Sequence, residues 1–164
     1  MILRRELAGD RDAVHAVHRA AFETVLEADL VDALRADPGW LPPLSLVADD
    51  HGVVGHVVCT RGAVGGAPAL GLGPLGVVPA RQRTGVGSAL MHAVLAAADA
   101  LNEPIVVLLG HTDYYPRFGF VPASDLGIVP PDPAWAAHFQ ARPLTAYTPT
   151  LRGEFSYAAP FQAR

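Results

Sequence analysis

The residues best suited to chemistry lie between Leu75 and Leu90. An apolar run, Leu75-Gly76-Val77-Val78, stops at Pro79, a basic polar turn follows, and Gly85 and Gly87 open an apolar-periodic segment. That order reads as a strand, a turn and the first turn of a helix. The leading N–H groups of a helix have no partner inside it, so they can converge on an anion. Gly85 and Gly87 carry no side chain that would keep a phosphate away from the backbone. Arg81 and Arg83 add charge-assisted donors. The segment therefore offers a cradle for phosphate or pyrophosphate.

The details narrow the ligand. A Walker A loop needs a lysine, and the chain has none. A dinucleotide fingerprint needs a third glycine where Leu90 stands. Gln82-Arg83-Thr84-Gly85-Val86-Gly87 instead resembles, without a gap, the coenzyme A loop of the GCN5-related N-acetyltransferase (GNAT) family, Q/R-x-x-G-x-G/A. Leu75 to Pro79 resembles that family's fourth strand running into its loop. A second segment, Tyr114-Tyr115-Pro116-Arg117-Phe118-Gly119-Phe120, follows the apolar run Ile105 to Leu109 and resembles the family's Y-x-x-x-G-F motif. Together with Leu72-Gly73-Pro74-Leu75 and Tyr157-Ala158-Ala159-Pro160-Phe161, it is most similar to a bacterial subgroup of N-acetyltransferases. The likeness covers residues 1–122 in layout and the tail more loosely.

The resemblance implies an α/β fold with a mixed, mostly antiparallel, splayed central sheet flanked by helices. It implies transfer of the acetyl group of acetyl-CoA to a primary amine, directly and within a ternary complex. The alternative is a non-catalytic regulatory module of the same fold that only binds CoA or acyl-CoA. Carried over residue by residue, coenzyme contacts fall on Val77, Val78, Gln82, Arg83, Thr84, Gly85, Val86, Gly87 and Ser88. Val77 matches the position whose N–H meets the thioester carbonyl, a donor that acts like an oxyanion hole. Tyr115 matches the tyrosine that protonates the departing thiolate; the plainer role is packing along the coenzyme. Tyr114 is expected to point elsewhere, and Arg117 to serve its own short helix.

A general base is less legible. Ala69 to Gly73 supply no carboxylate, a departure from many family members. His111 lies just past the fifth apolar run, and an imidazole with a pKa of about 6.5 accepts a proton at neutral pH. A coenzyme contact or a turn hydrogen bond competes with that role. Glu23, beside Phe22 near the end of the first helix, is placed to face the acceptor or simply to be solvated. Cys59, among valines, reads as core. His15 and His18 are three apart, but no third ligand follows on their helix, so no metal is expected.

These residues need a scaffold. Residues 1–6 read as a strand, 13–25 as a helix with Val14, Val17, Ala21 and Val25 on one face, and 29–36 as a second helix. Residues 44–48 and 53–60 read as strands around an Asp49-Asp50-His51-Gly52 turn, 62–68 as loop, and 69–78 as the strand feeding the cradle. The helix after the cradle carries Val86, Leu90, Val94 and Ala98, with Met91, Leu95 and Leu101 widening the stripe, and ends at Asn102 and Pro104. A proline-rich lobe or loop is expected near 121–134, then strands near 135–143 and 153–158.

At 164 residues, 51% hydrophobic and 17% charged, the chain has the composition of one folded domain over 1–164. A net charge of −4 disfavours non-specific nucleic-acid binding. No apolar run spans a membrane, and the early polar turn at Arg4-Arg5-Glu6 argues against a leader, so a cytoplasmic location is expected. Trp135, Phe139, Tyr147, Phe155, Tyr157 and Phe161 would leave an apolar surface that a homodimer could bury, the competing account being that they fold back over the sheet as ordinary core.

Overall fold

The computed structural model describes residues 1–162. In chain order come β1 (Ile2–Arg5), α1 (Arg11–Ala21), α2 (Leu26–Arg35), β2 (Ser45–Asp49), β3 (Val53–Val64), β4 (Ala67–Val77), α3 (Val86–Ala100) and β5 (Ile105–Leu109). Then follow β6 (Val121–Pro122), β7 (Ile128–Val129), β8 (Phe139–Pro143), β9 (Gly153–Ser156) and α4 (Ala159–Gln162). The sheet runs β1-β2-β3-β4-β5-β8-β6, and β9 pairs with the far end of β3 and with β7. Its pairs are antiparallel apart from β4 with β5 and β7 with β9. A parallel neighbour requires a crossover, and α3 supplies it.

Strand alternation distributes side chains to two faces. Leu46, Ala48, Val57 and Cys59 join the cluster under α3, where Val86, Leu90, Met91, Val94, Leu95 and Ala98 form the buried helix stripe. Leu101 belongs to the expected stripe by spacing but is 47% exposed, because α3 has already ended at Ala100. Val47 points the other way and packs with Val14 of α1 and Val31 of α2. His56, between Val57 and Gly55, is likewise sent to the α1 side, where it is fully buried.

The feature that shapes the site is a divergence of β4 from β5. The two strands pair only at Leu70 with Val106 and Gly71 with Val107. On the other edge, β4 slips by one residue against β3: Leu75 faces Val57, but Leu72 faces Cys59. The extra residue falls at Gly73-Pro74, a bulge with Gly73 at φ +142°. A bulge bends its strand and increases local twist, and here it precedes the stretch that leaves β5.

Several boundaries differ from the sequence reading. α1 stops at Ala21, and residues 22–25 form bends with Val25 exposed, so Glu23 lies beyond the helix. The expected loop at 62–68 is mostly strand, because β3 and β4 continue into a hairpin closed by Gly65 (φ +54°) and Gly66 (φ +83°). Two consecutive residues at positive φ fit the strand twist of a two-residue hairpin turn. Residues 121–134 carry β6, β7 and a 3₁₀ turn between them, and residues 133–138 form a 3₁₀ helix capped by Asp132, so the eighth strand begins only at Phe139. The C-terminal aromatics that suggested a homodimer pack within the chain: Phe139 and Phe155 are buried, and Tyr157 contacts Phe155, Phe161 and Trp135.

Candidate active site

A groove of about 900 Å³ opens where β4 and β5 part. Its walls include Leu75, Gly76 and Val77 of β4, Gln82, Arg83 and Gly85 of the following loop, and Gly87 and Ser88 of α3. Ala21 and Phe22 close it from the end of α1, while His111, Asp113, Tyr114 and Arg117 close it from the segment after β5.

The loop presents unpaired donors by construction. The first main-chain bond into α3 runs from Ala89 N–H to the Gly85 carbonyl (3.0 Å), so the N–H groups of Val86, Gly87 and Ser88 precede the helical ladder. Arg83 (φ +61°) and Gly85 (φ +95°) both occupy the left-handed region. That region is uncommon for a residue with a side chain and natural for glycine. Nothing stands within 4 Å of a Cβ built on Gly85, so space is left open over the helix start. The partial positive charge of a 15-residue helix adds to this pole. Arg83 forms no ion pair among the described residues, whereas Arg81 is bound to Asp50 (2.8 Å) and is thereby withdrawn from the cradle.

At the splayed edge, the orientation of Val77 follows from strand geometry. Val78 donates its N–H to the Val54 carbonyl (3.0 Å). Successive residues of an antiparallel strand address opposite edges, so the N–H and carbonyl of Val77 face the side that β5 has left. Gln82 Nε2 donates to that carbonyl (2.9 Å) and ties the loop to the strand end. The N–H beside it is positioned to donate into the groove.

The expected contacts therefore divide. Val77, Gln82, Arg83, Gly85, Gly87 and Ser88 line the groove. Val78 spends its N–H on β3 and its carbonyl on Arg81 N–H. Thr84 turns its hydroxyl back to the Arg81 carbonyl (2.5 Å), and Val86 is 2% exposed in the core beneath α3. His111 is on the wall. Glu23 is exposed in the bends after α1 and is not among the lining residues, although its neighbour Phe22 is.

The two tyrosines differ from the sequence expectation. Tyr114 lines the groove, and its hydroxyl lies 3.3 Å from a Cβ built on Gly87, directly across from the helix start. Arg117 fixes it there, donating to the carbonyls of Tyr114 (2.9 Å) and Asp113 (3.2 Å) and stacking 4.6 Å over the Tyr114 ring. Tyr115 is packed behind, against Gly110, Tyr114 and Phe120. Burial, then the neighbouring Tyr114, push its phenol up to about 12, so it stays protonated at neutral pH.

Cys59 is fully buried, and burial also raises its thiol, which keeps it from acting as a nucleophile. His15 and His18 point apart. His15 meets Asp32 of α2 (2.9 Å), with Asp29 nearby on the exposed face, whereas His18 turns inward. The cluster of potential ligands is thus His15 with Asp29 and Asp32, one from α1 and two from α2, which helical spacing on one segment cannot reveal.

The comparisons with known proteins agree with this geometry. Residues 43–122 match the acetyltransferase (GNAT) domain. The chain is 37% identical over 160 residues to the uncharacterized N-acetyltransferase YjhQ of Escherichia coli (strain K12), covering 92% of this chain and 88% of that one. The chain belongs to the GNAT family. Its fold superposes on the crystal structure of the E. coli GNAT family N-acetyltransferase YhbS in complex with CoA with a TM-score of 0.92 at 30% identity, covering 98% of this chain and 91% of that one. A GNAT family acetyltransferase from Brucella melitensis, in complex with acetyl-CoA, gives a TM-score of 0.80 at 34% identity over 98% and 97% of the two chains. The GNAT chain described here is an acetyl-CoA-dependent enzyme of this fold, and the open cradle at Gly85 fits that donor.

Proposed function

We propose that the chain transfers the acetyl group of acetyl-CoA directly to a primary amine, with both substrates held together in the groove. The observation that carries this reading is the continuous arrangement of an anion cradle, an outward-facing strand N–H and an open wall within one cavity. Arg83, Gly85, Gly87 and Ser88 would hold the pyrophosphate, and the Val77 N–H would meet the thioester carbonyl. Acetyl-CoA supplies the activated acetyl group. The protein supplies alignment, which alone removes a large part of a bimolecular barrier, together with a fixed donor where negative charge grows. Tyr115 is assigned as the acid for the leaving thiolate, with Tyr114 as the competing phenol nearer the cavity. His111 is the titratable imidazole on the wall. The acceptor enters between Phe22 and the segment carrying His111 and Asp113, and a small-molecule or peptide amine fits that opening. A cytoplasmic location belongs to the same reading; no described helix is long and apolar enough to cross a membrane.

The test combines calorimetry with thiol release. Acetyl-CoA is expected to bind the wild type, and Gly85→Glu to abolish binding by placing bulk and negative charge against the phosphates. Unchanged affinity in a folded Gly85→Glu protein would remove the cradle from the site. Thiol release with a library of amines separates the enzyme from a module that binds the coenzyme without turnover.

A further inference from the structure

A buried chain of polar side chains leads away from the groove wall. His18 Nε2 lies 2.8 Å from His56 Nδ1, and His56 Nε2 lies 2.9 Å from Ser45 Oγ. The Ser45 hydroxyl donates to Glu6 Oε2 (3.1 Å), and Arg35 donates to both oxygens of that carboxylate. His18, His56 and Ser45 are each no more than 1% exposed. At the other end His18 Nδ1 has no hydrogen-bond partner.

The inventory of donors fixes the direction of this chain. Glu6, bound by Arg35, accepts, so the single proton of Ser45 points at Glu6. Ser45 Oγ must then accept from His56, which places the His56 proton on Nε2 and leaves a lone pair on Nδ1. His18 must donate to that lone pair, so its own proton sits on Nε2. The open valence at the head of the chain is thus a lone pair on His18 Nδ1. Burial holds His18 neutral, with its pKa down to about 4, and holds His56 well below its ordinary value. The charged groups acting on His18 are His15 on its own helix and Arg35 and Asp32 of α2.

This lone pair abuts the candidate active site. A Cβ on Gly76 would come within 2.6 Å of His18 Nδ1, so bare strand backbone faces the ring. The Phe22 ring lies nearly parallel to it, centroids 6.0 Å apart. Gly76 and Phe22 both line the groove. An unpaired buried acceptor is destabilising, and its location beside the groove gives that cost a use.

We propose that His18 accepts the proton released by the acceptor amine and that His56, Ser45 and Glu6 form the relay that carries its charge out of the groove. The proposal rests on the acetyl-transfer reading above. An N–H bond of the bound ammonium breaks, nitrogen keeps the electron pair and attacks as the neutral amine, and the proton bonds to His18 Nδ1. The Nε2 proton of His18 passes to His56 Nδ1, the Nε2 proton of His56 to Ser45 Oγ, and the Ser45 proton to Glu6 Oε2. Positive charge leaves the groove and the Glu6 carboxylate is neutralised. After the product departs, the same shifts in reverse return the proton through His18 Nδ1 to water in the groove and restore the starting tautomers. Access passes between Phe22 and Gly76, which requires the Phe22 ring to move aside.

Two measurements test the relay. Histidine side-chain ¹⁵N NMR at pH 7 is expected to show His18 and His56 neutral, each with its proton on Nε2; a resting Nδ1–H on His18 overturns the proposal. Thiol release is then followed with acetyl-CoA and benzylamine, tyramine and spermidine. Ser45→Ala leaves His56 Nε2 and Glu6 Oε2 at 3.8 Å, too long for direct transfer. It is expected to lower kcat by at least about tenfold, with acetyl-CoA affinity by calorimetry unchanged, and Ser45→Thr, which keeps the hydroxyl, is expected to restore the rate. Wild-type kcat in Ser45→Ala removes the relay but leaves acetyl transfer standing. Equal loss of rate in Ser45→Ala and Ser45→Thr assigns the chain to packing and also overturns the proposal. No thiol release by the wild type with any of the three amines removes the acetyl-transfer reading and the relay with it.

Discussion

Tyr114 and Tyr115 are adjacent, yet their surroundings separate their roles. Tyr115 occupies the position named by the sequence motif and is half-buried behind Tyr114 with a raised pKa, whereas Tyr114 reaches the groove surface. A phenol that stays protonated through neutral pH is ready to donate, and loss of a general acid commonly costs about 10²-fold or more in rate. If Tyr115 is the acid, Tyr115→Phe lowers kcat by that order while calorimetric affinity for acetyl-CoA holds, and Tyr114→Phe changes kcat much less. The opposite ranking moves the role to Tyr114. The motif made the pair legible because it fixes sequence position. It could not show which hydroxyl meets the cavity, since that depends on Arg117 clamping the Tyr114 ring and carbonyl. His18 and His56 were equally illegible: 38 residues apart in sequence, they meet only because α1 lies over β3.

At the level of elements, the cradle and its helix could be read directly, because unpaired N–H groups, glycines and an apolar stripe are local properties. The bend that opens the groove could not. It depends on the register between β3 and β4, which is set by two strands jointly at Gly73-Pro74. Gln82 illustrates the difference. The sequence suggests a coenzyme contact, and the structure gives it a tie to the Val77 carbonyl at the edge of the splay. One such hydrogen bond contributes about 0.5–1.5 kcal/mol. Gln82→Ala is accordingly expected to weaken acetyl-CoA binding by about two- to tenfold, with folding stability lowered by no more than that one hydrogen bond. Full affinity in the variant would separate loop tethering from binding. At the paired end of β4, Gly71 has the Tyr157 ring where a Cβ would stand, at 2.7 Å. Gly71→Ala must push that ring from its packing against Phe155 and Phe161. A loss of about 1–3 kcal/mol in denaturant unfolding is expected, and a stability equal to wild type would mean that the C-terminal segment yields freely.

For the whole molecule, internal packing of the C-terminal aromatics bears on assembly and buried histidines bear on acid stability. Sedimentation equilibrium distinguishes the 17.2 kDa monomer, which that packing supports, from the homodimer that the aromatic content led us to expect. Acid stability follows from proton linkage. His18 is held to about 4 in the folded protein against 6.5 when free, mainly by burial, and His56 is shifted in the same direction by the same cause. Below pH 6.5 the unfolded chain therefore binds protons that the folded chain refuses, so stability falls as pH falls through the window from 6.5 to about 4. Each pH step of one unit inside that window costs about 1.4 kcal/mol per histidine. Above it both states leave these rings neutral and the effect vanishes. Urea unfolding is expected to show a plateau near pH 7 to 8 and a decline of about 2 kcal/mol or more by pH 5. The decline should steepen with His56 contributing, and it should precede any loss from Asp10 and Asp49, whose carboxyls are held below their ordinary value and weaken folding only at lower pH. A flat profile from pH 7 to pH 5 would mean that the two rings are charged or open to solvent in the folded state, and the buried polar chain would then have a different protonation from the one its hydrogen bonds require.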